Sequence, residues 1–224
     1  MTWDELARRV AYVPQFPGAH PRLSVRGHVE RVALWSGVPR PRERAAHALE
    51  RMGLGDVAEV PLGRLGVAVR RRTAVAAALV RDASVLLFDE PTADLDPAER
   101  AGFWAELASL RAAAGGAFAA VVTTHLLDEV ALHCDGAVLL DRGRALFHGP
   151  VGALAAAAEG RTSRLAPGQP VPPEAVVVGV DEDGSRLILG PAGGAPRPPS
   201  PLDGYLVLVG AAEGSSPPRR GGRR

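Results

Sequence analysis

The chain has 224 residues, a hydrophobic fraction of 46% and a formal net charge of +1, from 26 basic against 25 acidic side chains. That length suits one domain of ordinary size with a smaller appendage, and so small a net charge supplies no field that would draw nucleic acid or acidic lipid. No stretch approaches the roughly 18 uninterrupted apolar residues of a membrane span, the start lacks the pattern of a signal peptide, and the single cysteine, Cys134, excludes an internal disulfide or a thiolate cluster.

Residues 9–15 predict a short strand ended by Pro14, which cannot donate to a ladder, with Gln15 just past it. Ser24 is placed to cap a helix whose apolar residues Val25, Val29 and Val32 recur at helical spacing. Gly27 stands where a capping box would put Glu or Gln. After a break at residues 37–41, Ala45, Leu49 and Met52 mark a second amphipathic helix. A third helix is expected over residues 65–80, and its run Arg70 to Arg72 reads as a solvated face.

The strongest signal comes next. Val85, Leu86, Leu87 and Phe88 form an apolar run that stops at Asp89 and Glu90, which predicts a parallel strand covered on both faces. The acids then fall at the strand's carboxyl end, where open α/β sheets place their ligands. Two adjacent ionised carboxylates repel, so a site holding both points to a cation or a polarised water, hence to magnesium and hydrolysis.

Asp96, Pro97 and Glu99 supply a cap, a first-turn proline and a third-position acid for the following helix, with Phe103, Leu107 and Leu110 as its buried stripe and Gly115-Gly116 as its end. Residues 119–124 predict a second buried strand that delivers His125 to the same sheet edge as Asp89 and Glu90. Leu126, Leu127 and Val130 read as the inward face of a further helix. His133, Cys134 and Asp135 have the wrong spacing for one tetrahedral metal centre and read as structural.

Residues 136–149 predict two strands around a tight turn at Arg142-Gly143. Beyond Gly160 the composition shifts to Pro and Gly. A hairpin is expected from residues 175–180 and 186–189 around the turn 181–184, then a short helix over 201–208 and a disordered tail over 211–224.

These motifs, in this order, resemble an ABC-transporter ATPase subunit. Asp89 and Glu90 look like the Walker B aspartate and catalytic glutamate, and Ala93 to Asp96 like the D-loop. Gln15 looks like the Q-loop glutamine, Leu65 to Val69 fall on the signature motif, and His125 looks like the H-loop histidine. Each motif is weak alone; five in register over about residues 8–158 are specific.

The resemblance implies an α/β, P-loop NTPase-like ABC nucleotide-binding domain, N-terminally truncated, over 1–158, with a helical subdomain over about 22–82. A small α+β C-terminal extension would occupy 159–210. Glu90 would polarise the attacking water and His125 would contact the γ-phosphate. Gln15 and Asp89 would hold magnesium, and Asp94 and Asp96 would join them as cofactor-binding residues. The implied cofactors are ATP and Mg2+. The implied partners are a transmembrane permease subunit and a second ABC ATPase subunit, with no nucleic acid, and the implied location is cytoplasmic, peripheral on the inner face of the plasma membrane.

The chain also departs from the family pattern. Of the usual Leu-Ser-Gly-Gly-Gln signature only Leu65 remains; Gly66, Val67, Ala68 and Val69 fill the other positions, without the hydroxyl and with Cβ atoms where backbone should approach phosphate. All 26 basic residues are arginine, so the lysine of a phosphate-binding P-loop is missing from this sequence. Gly160-Arg161-Thr162 mimics the end of such a loop but follows an alanine-rich helix instead of a strand.

The family pattern places the P-loop and an adenine-stacking aromatic before residue 1, since Trp3 and Tyr12 lie too close to Gln15. A late start, a truncation or abandoned nucleotide binding would each produce this, and the altered signature favours decay. The expected function is an ATP-binding subunit coupling hydrolysis to export, impaired here. The alternative is a non-hydrolytic regulatory or structural partner subunit. A soluble ABC protein of DNA repair or translation would require a second nucleotide domain or long coiled-coil inserts, and the sequence has neither.

Overall fold

The computed structural model describes residues 2, 5, 9–15, 18–81, 83–115, 118–191 and 193–214, the last four by backbone alone. The expectations on Trp3, Gly116 and residues 215–224 lie outside the described residues. The chain divides into two compact units, Met1–His125 and Leu126–Arg224, a different cut from the one expected at residue 158.

The first unit is built on a three-stranded parallel sheet in the order β1 (Val10–Val13), β2 (Val85–Asp89), β3 (Ala119–Thr123). The register is continuous: Val13 pairs with Phe88, Phe88 with Val122, and Asp89 with Thr123. The run ending at Asp89 is the central strand, and its pairing is parallel on both sides, as the apolar pattern predicts of a parallel strand. Burial on both faces is not what the strand shows. Leu86 and Phe88 are buried, whereas Val85 and Leu87, pointing the other way, are half-buried.

β3 likewise departs from a fully buried strand, with Val121 51% exposed. The reason is one-sided cover. Helix α4 (Pro97–Ala113) lays Phe103 edge-on against Phe88, with ring centroids 5.7 Å apart, while the row Tyr12, Leu87 and Val121 faces the other way. An apolar run reports composition and not what lies over it.

Helix α1 (Val25–Trp35) starts where Ser24 Oγ accepts from the Gly27 amide at 3.1 Å. It buries Val25, Val29 and Ala33, leaving Val32 half-exposed. Helix α2 (Pro41–Arg51) buries Ala45, Ala48 and Leu49, with Met52 just beyond its end. Helix α3 (Val67–Leu79) begins at Gly66 with no side-chain cap. The three pack on one another. α4 starts in a complete capping box: Asp96 Oδ1 accepts from the Glu99 amide at 2.8 Å, and the Asp96 amide donates to Glu99 Oε2 at 3.2 Å.

The second unit begins with α5 (Leu127–His133), whose buried residue is Glu129; Leu126, Leu127 and Val130 are only half-buried and Leu132 is exposed, so the expected apolar inward face is corrected. β4 (Gly136–Asp141) and β5 (Arg144–Pro150) form an antiparallel hairpin. Its turn holds Arg142 and Gly143 at φ 46° and 78°, the left-handed pair that matches strand twist. α6 (Val151–Ala156) follows.

A four-stranded antiparallel sheet runs β7 (Val176–Val180), β8 (Arg186–Leu189), β6 (Thr162–Leu165), β9 (Ala195–Pro196). The expected hairpin is β7–β8. β6 escapes a pattern reading because Thr162 and Ser163 are polar and yet buried. The last helix, α7 (Pro201–Gly214), runs past residue 208 and packs on α6 and β5. Asp203 at its start is buried and takes two hydrogen bonds from Arg197, at 2.9 and 2.6 Å. Among the described residues no helix is long and apolar enough to cross a membrane.

Candidate functional site

The carboxyl edge of the parallel sheet gathers five side chains. Because Asp89 and Thr123 are register partners on adjacent strands, their side chains share a face, and Tyr12 lies on that face one pleat earlier. Thr123 Oγ1 donates to Asp89 Oδ1 at 2.7 Å, and the Tyr12 hydroxyl donates to Asp89 Oδ2 at 2.8 Å. Both carboxylate oxygens accept from neutral hydroxyls. Thr123 first and Tyr12 second hold the Asp89 carboxyl below its ordinary range, because each bond favours the charged form, and the same bond raises the Tyr12 phenol.

Glu90 leaves the strand with φ 45°, a left-handed conformation uncommon for a residue with a Cβ. The turn is held by its amide, which donates to both the carbonyl and the hydroxyl of Thr123, at 3.1 and 3.0 Å. Thr123 thus fixes the backbone of one acid and the side chain of the other. Turned in this way, Glu90 Oε2 lies 3.1 Å from His125 Nδ1. A carboxylate oxygen accepts, so Nδ1–H is the donor where the two are hydrogen-bonded. His125 is exposed and Glu90 largely covered.

The other expected residues are placed differently. Asp94 has φ 62° in the turn after Glu90, and the Asp96 carboxylate is engaged as the α4 cap. Gln15 follows β1, and its carbonyl accepts from Arg71 Nη2 at 3.2 Å. Arg71 Nη1 also donates to the carbonyls of Pro91 and Ala93. Arg71 is 4% exposed, so the expectation that Arg70 to Arg72 form a solvated face is corrected at its middle member. Burial lowers its pKa, partly offset by Asp94 and Glu99. Leu65 and Gly66 precede α3, and Val67, Ala68 and Val69 form its first turn, with Val67 43% exposed.

Tyr12 and Thr123 are the site residues that sequence reasoning missed. Their signal is register: once β1, β2 and β3 are parallel neighbours, Tyr12 and Thr123 fall on the Asp89 face. As a donor set the edge offers carboxylate and hydroxyl oxygens. That suits Mg2+, which takes one or two carboxylates and completes its shell with water or phosphate. Among the described residues no group of three or more His, Cys, Asp or Glu side chains forms a metal cage. The triphosphate fits less well, for no lysine-bearing glycine loop occurs in this sequence.

The ABC transporter family model matches residues 1–93. The Nod factor export ATP-binding protein I of Ralstonia nicotianae is 35% identical over 143 residues, 63% of this chain and 44% of that protein. Its counterpart from Burkholderia orbicola is 35% identical, over 66% of this chain and 48% of that protein. The chain thus spans less than half the length of these relatives. Rat ATP-binding cassette sub-family A member 7 is 32% identical over 84% of this chain, a region that is 9% of that protein.

Among solved structures, cbiO1 from Clostridium perfringens, part of the ABC transporter complex cbiONQ, superposes with a TM-score of 0.59 at 29% identity, over 65% of this chain and 59% of that one. An ATP-binding subunit of an ABC transporter superposes at 0.57 and 21% identity, over 68% of this chain and 63% of that one, a likeness of fold. By fold, motif order and these relatives, the chain is similar to ABC transporter ATP-binding proteins, its residues 1–93 match that family's model, and it has the α/β, P-loop NTPase-like fold of their nucleotide-binding domains.

Proposed function

We propose that this chain supplies the metal- and water-organising edge of an ABC ATP-binding subunit that couples ATP to export through a separate membrane permease. The observation that carries the reading is the Asp89–Thr123–Glu90–His125 hydrogen-bonded group at one sheet edge. Asp89 would hold Mg2+, with Gln15 as the second metal contact, and the ion would neutralise charge on phosphate oxygens. Glu90 is the base, held by its left-handed turn and oriented by His125. Thr123 keeps the two carboxylates in fixed relation, and electrostatic positioning of this kind supplies most of the catalysis in phosphoryl transfer.

In this reading Asp94 and Asp96 lie on the loop facing a second ABC subunit, Leu65 to Val69 form a weakened signature, and the chain sits on the inner membrane face by way of the permease. The nucleotide-binding domain covers 1–158, with 159–210 as its extension. Because the sequence supplies no lysine to the phosphates, the chain alone is expected to show no MgATP turnover above buffer. Turnover that disappears in Glu90→Gln would overturn that expectation. Co-expression with an ABC permease subunit from the same genome tests the docking: co-purification in detergent supports it, and a chain found wholly in the soluble fraction sinks it.

The degenerate signature favours the second reading, a non-hydrolytic regulatory or structural partner of a competent ATPase. It predicts the same docking, and a complex whose turnover survives Glu90→Gln in this chain.

A further inference from the structure

Three backbone carbonyls from two separate loops converge on one buried guanidinium. Arg71 Nη2 bonds Gln15 in the loop after β1, and Nη1 bonds Pro91 and Ala93 in the turn after β2. A planar fork with several fixed donors spans such carbonyls where an ammonium, a single point, does not. The cost of burying the charge is partly offset by Asp94 and Glu99 nearby, and the carbonyl hydrogen bonds give its donors partners. Among the described residues the ladder between β1 and β2 ends at Val13 and Phe88, before these two loops begin.

We infer that Arg71 is a positioning residue that ties the Gln15 loop and the Pro91–Ala93 turn to helix α3, so that the three shift as one body. The inference rests on the reading of Gln15 and Asp89 as magnesium contacts for its functional meaning. Arg71 engages Gln15 by its backbone carbonyl, so its part is positional. It fixes the carbonyl of Gln15 and the turn that leaves Glu90, and so sets how far those two loops can separate. A displacement of the first turn of α3, where Val67 to Val69 lie, is passed to both loops through one side chain.

The test uses the full chain, 15N-labelled, in wild-type form and as Arg71→Met and Arg71→Lys. In Arg71→Met, amide order parameters at Gln15 and Ala93 are expected to fall from about 0.85 toward 0.6. Amide exchange at Ala93 and Leu95 is expected to rise about tenfold. Strands β7 and β8 should not change. Arg71→Lys is expected to retain order at one loop only. Unchanged loops, loss spread evenly over the first unit, or full rescue by lysine would each overturn the tie.

If Arg71→Met fails to fold, the wild-type guanidinium decides the question. Its Nη protons are expected to resolve separately and exchange slowly, and averaging like that of the exposed arginines would overturn the inference. Asp89→Asn examines the magnesium reading on its own by Mn2+ binding. Unchanged Mn2+ affinity there, with both loops loosened in Arg71→Met, retires the metal reading and supports the tie.

Discussion

Asp89 shows how neighbouring hydroxyls favour the charged form of a carboxylate at a sheet edge. Thr123 and Tyr12 donate to its two oxygens, and a hydrogen bond to the charged form lowers a pKa. Removing either donor should raise the Asp89 pKa toward the ordinary carboxylate value of 3.8. Carboxyl 13C titration of Thr123→Val and Tyr12→Phe checks this, with the larger rise expected in Thr123→Val; an Asp89 titration identical to wild type in both would contradict it. The acids and His125 were legible in the sequence because each terminates an apolar strand. Tyr12 and Thr123 were not, because their roles exist only once three strands are in register. Arg71 was misread for a related reason: a basic run is silent about which member points inward.

At the scale of elements, what the sequence announces are local signals: the Ser24 cap, the capping box at Asp96, the left-handed turn at Arg142-Gly143. Each is satisfied within a few residues, so no distant contact can override it. β6 and the one-sided cover of β2 and β3 depend on partners far along the chain and are invisible locally. The α6–α7 contact is of this second kind. Gly204 lies so close to α6 that a Cβ there would sit 1.8 Å from the Leu154 carbonyl oxygen. Both atoms are backbone-bound, so neither can rotate away. Gly204→Ala should therefore separate the helices and destabilise the second unit by about 1 to 3 kcal/mol, in the range of overpacked cores. Urea unfolding followed by the amide signals of β7 and β8 measures it, and an unchanged midpoint would show that the helices part without cost.

Over the whole molecule, the ionisable groups that folding perturbs set a pH window. Burial, reinforced by Arg31, depresses the His28 pKa from 6.5. A depressed group contributes stability that is full above its unfolded value and is lost as pH falls through its folded one. The acid limb should therefore begin near pH 6.5, well above the carboxylate range. A second fall comes below 3.8, where Asp89, Asp183 and Asp203 take up protons, each with a lowered pKa; for Asp203 burial pushes upward but the bonds from Arg197 and Ser200 prevail. Glu106, raised from 4.5 by burial, adds stability as pH falls toward 4.5, before this second fall begins. On the alkaline side Cys134 is raised from 9.0 by burial and by Asp135, and Tyr12 is raised from 10.0. A raised group's contribution is full below its unfolded value and is lost as pH rises through the folded one, so the plateau should lie between 6.5 and 9.0. Urea midpoints taken across that range should be flat, with a first decline on acidification that belongs to one imidazole. His28→Gln removes that imidazole and should flatten the slope between about pH 5 and 6.5 while leaving the carboxylate limb in place. If the slope above pH 5 is the same with and without His28, the early acid limb has another source.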